Sequence, residues 1–283
     1  MEIDNWAYYI KKNFNSFKSD VINEMIKFYG KKYKDTIIQR LEEVDFIFYG
    51  NIKNGMPSKK QGFSGKKGII YKTKEIQYSK DIKELINSDI DAKFISFNAR
   101  YDFNKNTINK YILIPLFATD EDILHEMIHA ITYTPLYVDN EKEIYKGKSG
   151  LGVSNDDGEI LLEESITELE AKILYKSLIK TRNKTFLNEY CNETSNCYYN
   201  NFIPLIYKFH KSFFGDITYS RITLNKNSIV NHIGKELYNN LIAYIGYYAE
   251  DLYSMSKHKY IPLIECAIDK MKENYKVKKL CNN

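Results

Sequence analysis

The stretch ATDEDILHEMIHAITYTP, Ala118 to Pro135, carries two of the chain's five histidines four residues apart, with a glutamate directly after the first. Its reading depends on whether it is a helix. Thr119 has the side chain of an N-cap, and Asp122 stands three residues on, where a capping box needs its acceptor. Asp120, Glu121 and Asp122 together place negative charge at the positive end of a helix dipole. Ile123, Leu124, Met127, Ile128, Ala130 and Ile131 recur at the three-to-four spacing of a buried helical face, and Pro135 closes the run. On such a helix His125 and His129 project from one face. Both rings can therefore reach a single ion about 2 Å from each nitrogen, as tetrahedral zinc requires. Glu126 lies beside them, placed to act as a base on water. The preceding residues, Asn109 to Ala118, read as a strand that feeds this helix, with Pro115 pointing to an edge position.

A zinc site needs a third protein ligand from elsewhere in the chain. The segment DDGEILLEESITELEAKILYKSL, Asp156 to Leu178, is a second helical pattern. Its apolar side comprises Ile160, Leu161, Ile166, Leu169, Ile173 and Leu174, and its middle is rich in acids. Glu164 and Glu168 are four apart and share a face. Glu164 can then bind the ion while Glu168 accepts a hydrogen bond from the far nitrogen of a ligating histidine, His125 being the expected donor. Glu163 and Glu170 point elsewhere and are expected on a solvated face, so that loss of Glu163 should cost little.

HEMIH followed by Leu162-Glu163-Glu164-Ser165-Ile166-Thr167-Glu168 resembles the gluzincin branch of the zincin metallopeptidases, whose second helix often reads like N-E-G-x-T-E. Glu164 matches the ligand glutamate, Thr167 and Glu168 the terminal T-E pair, and Glu126 the base. Glu163 stands where Asn is usual and Ser165 where Gly is usual, which keeps Glu163 open as the alternative ligand; the T-E pair favours Glu164. The resemblance covers a minority of the chain. It implies Zn2+ as cofactor and hydrolysis of a peptide or protein substrate by metal-activated water, with Glu126 as general base. It also implies a donor for the oxyanion from the later helices, for which Tyr219, Arg221 and His232 are candidates. The alternative is a non-catalytic regulatory or binding protein that retains a structural zinc site. The intact Glu126 argues against it, since a closed structural site gains nothing from a base.

The rest of the chain is compatible with an enzyme. A length of 283 residues suffices for a large core, and a net charge of +4 with scattered basic residues gives no nucleic-acid track. The lysine clusters 176–184 and 270–279 read as solvated helix faces. MEIDNWAYYIKKNF has no apolar signal core and no apolar run approaches a membrane span, so a soluble cytoplasmic protein without membrane partners is expected. Four cysteines without a C-x-x-C pair are expected as reduced thiols, although Cys191 and Cys197 could close a short loop.

The fold expected is α+β and predominantly helical. Residues 4–44 read as helices punctuated by Gly30, Asp45–Tyr49 as a strand, and 50–68 as a polar loop. Strands follow near Ile69–Lys72, Phe94–Phe97 and Tyr111–Phe117, with a helix at Lys80–Ser88. Helices are expected at Glu159–Ile179, Ile203–Phe213, Ser228–Met255 and Pro262–Lys278. As a zincin-like single catalytic unit, 1–283, the chain would have a sheet-bearing lobe, 1–131, ending in the HExxH helix. A helical lobe, 159–283, would carry the glutamate ligand, and a flexible loop, 132–158, would border the cleft.

Overall fold

Ile10, Phe14, Phe17, Val21 and Met25 recur at intervals of three and four and are fully buried, so they form the inner stripe of the first helix, α1 (Ile3–Tyr29), in this computed structural model. The structure describes residues 3–50, 52–53, 56–57, 68–74, 86–87, 93–98, 108–139, 144–149, 151–153, 157–187, 202–250 and 259–281. Gly30, at φ 109°, turns the chain out of α1 through a single 3-10 turn into α2 (Lys34–Glu42). The strands β1 (Val44–Gly50), β2 (Ile52–Lys53), β3 (Met56–Pro57), β4 (Gly68–Lys72), β5 (Lys93–Asn98) and β6 (Ile108–Pro115) follow. Four of them form a mixed sheet in the order β4-β1-β6-β5. Its centre is the parallel pair β1 and β6, in register from Val44 opposite Lys110 to Tyr49 opposite Pro115, with antiparallel strands on either side. Pro115 therefore does not mark an edge strand. It is the last residue of an interior strand, at the point where the chain leaves the sheet and where a missing N–H disturbs the ladder least.

The chain forms two compact units, residues 1–131 with 171–191, and residues 132–170 with 192–283. The first holds α1, α2, the mixed sheet and the HExxH helix, α3 (Asp120–Thr132). Its core is aromatic. Phe14 meets Phe46 and Phe48 of β1 at 4.9 and 5.0 Å between ring centroids, and Phe186 stacks on Phe17 at 4.7 Å. Rings of this kind supply large apolar area and directional edge contacts, which hold α1 on the sheet.

In the second unit, residues read from sequence as a flexible loop are strands: β7 (Tyr133–Asp139), β8 (Ile144–Ser149) and β9 (Gly152–Val153), antiparallel in that order. Tyr133, Thr134, Tyr137, Val138, Ile144 and Tyr145 favour a pleated conformation, and Pro135 is tolerated because β7 is an edge. The helix that carries Glu164, α4 (Asp157–Arg182), begins in this unit against α7 (Lys235–Glu250). A Cβ on Gly158 would lie 2.2 Å from the carbonyl oxygen of Ile242, so only glycine permits this crossing. Before α7 come α5 (Ile203–Thr223) and α6 (Lys226–Ile233), and after it α8 (Ile261–Cys281). The expected end of a helix at Phe213 is a kink (φ −126°, ψ 22°) past which α5 continues. The single helix expected from Ser228 is broken at Gly234, φ 99°.

The architecture is α+β and mostly helical, and among the described residues no helix is long and apolar enough to cross a membrane. The helix expected at Lys80–Ser88 (apart from 86–87), the residues after Glu250 up to Met255, and Cys191 and Cys197 lie outside the described residues.

Candidate metal centre

The position of the HEMIH turn is fixed from both ends of α3. At its start, Thr119 and Asp122 form the reciprocal capping box. The Thr119 amide and hydroxyl donate to Asp122 Oδ2 at 2.7 and 2.8 Å, and the Asp122 amide donates to Thr119 Oγ1 at 3.2 Å. Asp120, fully buried, accepts the amide protons of Phe186 and Leu187 at 2.7 and 2.9 Å, tying the first turn of α3 to the aromatic core. Burial pushes the Asp120 carboxyl up from its ordinary value despite these two bonds. At the other end Arg40 of α2 donates to the carbonyl of Ile131, one of the acceptors that a helix C-terminus leaves unmet. Lys172 pairs with Glu121 at 2.6 Å.

Between these anchors Met127, Ile128, Ala130 and Ile131 are buried, while His125, Glu126 and His129 are half-buried. The two imidazoles converge. Their Nε2 atoms are 2.9 Å apart. Two bare lone pairs repel at that distance, so the arrangement calls for a proton or a cation shared by the rings. Two nitrogens on one tetrahedral zinc sit about 3.3 Å apart, given Zn–N bonds of about 2.05 Å, so a shift of a few tenths of an ångström would accommodate the ion. One ligand atom each from His125, His129 and Glu164 lies within 4.8 Å of the other two, and Glu164 is also half-buried. A neutral pair of nitrogens and one carboxylate oxygen is a donor set suited to zinc, and three protein ligands leave one position open. Glu126 lies about 60° around the helix axis from His129 and about 100° from His125, on the flank of the pair.

The neighbouring acids of α4 are not solvated. Glu163 is 3% exposed, Glu168 9% and Glu170 0%. Glu163 pairs with Arg221 of α5 and is not the solvated residue expected, so its replacement is not cheap: its loss would leave the buried Nε donor of the guanidinium without its acceptor. Glu168 shares the face of Glu164. Of the three candidates for the oxyanion donor, His232 is not in the His125, His129 and Glu164 group. Arg221 is fully buried, with its nitrogens committed to Glu163, Thr167 and Glu170, a structural position rather than that of a donor awaiting substrate. His232 holds Asp216 through Nδ1 at 2.6 Å and lies against the ring of Tyr275, and Tyr219 is 39% exposed on α5. His210, expected as a packed or surface residue, is packed, with Nε2 3.0 Å from Glu170 Oε1.

The sequence reading missed Arg40 and Phe186 as anchors of α3, and it gave Asp120 and Arg221 roles other than the buried contacts they make. For the Arg221 contacts the one sequence signal is the spacing of Glu163, Thr167 and Glu170 on a single helix face. Comparison with models of known protein families, with curated proteins and with solved structures found no match.

Proposed function

We propose that the chain is a zinc-dependent peptidase with a zincin-like, gluzincin-type site, in which His125, His129 and Glu164 hold the ion and Glu126 is the general base. The observation that carries this reading is the convergence of the two Nε2 atoms at 2.9 Å with the Glu164 carboxylate beside them. Zinc bound by this set supplies Lewis acidity toward a carbonyl and lowers the pKa of water to about 7. Glu126 accepts a proton from water and delivers it to the leaving amine, a role its half-buried place on the flank of the histidines suits. His125 and His129 are presented rigidly because α3 is anchored at both ends, and Glu168 is the acceptor that orients a ligating ring. For the charge that develops on the carbonyl oxygen, Tyr219 and His232 are the exposed donors of the three expected.

The test is a cleavage profile of the zinc-loaded protein across a broad peptide library, with Glu126→Gln as its control. The wild type should cleave, and the variant should keep metal and fold while losing roughly two to four orders of magnitude in rate. Equal cleavage by both would trace the activity to a contaminant. A zinc-bound wild type that cleaves nothing in the library would transfer the site to the non-catalytic binding protein.

A further inference from the structure

From Leu161 to Ala171 every side chain of α4 is buried except Glu164. The apolar groups of this stretch, Leu161, Leu162, Ile166 and Leu169 at 6, 0, 0 and 6% exposure, lie within about 140° of one another around the axis, and the side carrying Glu163, Thr167 and Glu170 is buried as well. In an amphipathic surface helix the rotation is selected by turning the polar side to water, whereas here that side is buried too. The apolar arc orients α4 only coarsely, and a metal ligand at Glu164 needs the roll held closely.

The polar contacts add a closer constraint on another side of the helix. Arg221 of α5 donates from Nε to Glu163 Oε1 at 2.9 Å, from Nη2 to Thr167 Oγ1 at 2.6 Å and from Nη1 to Glu170 Oε2. The three acceptors lie within about 60° of one another around the helix and span about 10 Å along it. Glu170 is held further by His210. A planar guanidinium grips several acceptors in one orientation, which a lysine ammonium does not. Glu164 lies about 90° and Glu168 about 130° around the axis from the middle of this gripped face.

The arrangement is a poor device for adhesion alone. Two carboxylates face one guanidinium in a dry interior, and Glu163 Oε2 has no hydrogen-bond partner. Buried ion groups of this kind are often replaced by apolar side chains without loss of stability; what they can contribute is a unique arrangement. We infer that Arg221 is a positioning residue that locks the rotation of α4 through Glu163, Thr167 and Glu170 and thereby aims the Glu164 carboxylate at the metal. The inference rests on the zinc-site reading above.

The experiment uses the full chain and the metals alone. Zinc affinity is measured by competition with a chromogenic chelator, and the visible spectrum of the Co2+-substituted protein reports the ligand set. Folding is monitored by circular dichroism. Arg221→Met should weaken zinc binding roughly ten- to a hundredfold and shift the cobalt spectrum toward that of Glu164→Ala. Arg221→Lys, which keeps charge without the fork, should not restore either. Because Arg221→Met leaves two buried carboxylates, the triple variant Arg221→Met, Glu163→Leu, Glu170→Gln removes the charges together and should stay folded with the same metal defect. A folded triple variant with wild-type zinc affinity and cobalt spectrum overturns the inference. So does loss of folding in all three variants, which would make Arg221 a determinant of the fold and not of aim. A wild type that binds neither metal defeats the zinc-site reading itself, and is told apart because the defect precedes any substitution.

Discussion

Gly158→Ala places a test at the start of the helix that carries Glu164. Two effects oppose one another. Alanine is the better helix former by about 1 kcal/mol in a helix interior, and by less in the first turn, where Gly158 sits. The new Cβ, however, would stand 2.2 Å from Ile242 O and 3.0 Å from Gly246 N, both backbone atoms that cannot rotate away. Non-bonded heavy atoms sit comfortably at about 3.5 Å, so α4 and α7 would have to part by about 1 Å. Overpacking of this order costs about 1–3 kcal/mol. Steric cost wins, and the expected net destabilisation is about 1–2 kcal/mol, or about half a molar in the urea midpoint. Gly246, in the facing helix, is the internal control. Its added Cβ would meet only Gly158 N and Cα at 3.7 and 3.8 Å, which is ordinary contact. Gly246→Ala should therefore be neutral or stabilising by up to about 1 kcal/mol. Urea unfolding followed by tyrosine fluorescence compares the three proteins. A Gly158→Ala variant as stable as the wild type, or an equal loss in both variants, would refute the close crossing. In the same samples a displaced α4 should lower zinc affinity in Gly158→Ala and leave it unchanged in Gly246→Ala, since Glu164 lies less than two turns from the clash.

The metal reading predicts close to one zinc per chain by elemental analysis, removed by His125→Ala and by Glu164→Ala; a metal-free wild type would sink it. Asp45 is almost fully buried, with Oδ1 accepting the Thr73 amide and hydroxyl and the Lys74 amide, and Oδ2 without a partner. Burial raises its pKa above the unfolded value, so the stability it contributes is present below pH 3.8 and lost as pH rises through the folded pKa. Asp45→Asn can keep the three bonds and drop the charge. Its stability relative to wild type should be greater at pH 7 than at pH 3, and a difference that does not grow between those pH values would contradict the assignment.

The HExxH helix was legible because its determinants are local. The Thr119 and Asp122 cap, the acidic first turn, the apolar spacing and the i, i+4 histidines all act within one or two turns, and the helix observed, Asp120 to Thr132, carries each of them. The parallel placement of β1 beside β6 was not legible, because pairing across about sixty residues is decided by which faces find cover. Likewise 132–158 read as a loop, whereas mutual pairing makes strands of residues 133–139, 144–149 and 152–153. The acids of α4 are the clearest case. Periodicity identified the helix and placed Glu164 and Glu168 on one face, a consequence of 3.6 residues per turn. It could not tell a solvated glutamate from one buried against an arginine fifty-eight residues away, since the free energy that permits burial resides in the partner. Sequence alone thus determined the elements whose signals are local, such as the capped HExxH helix, and the order of the chemical groups along them. Only the tertiary structure decided which of those groups lose water, because desolvation depends on neighbours that the chain supplies from a distance.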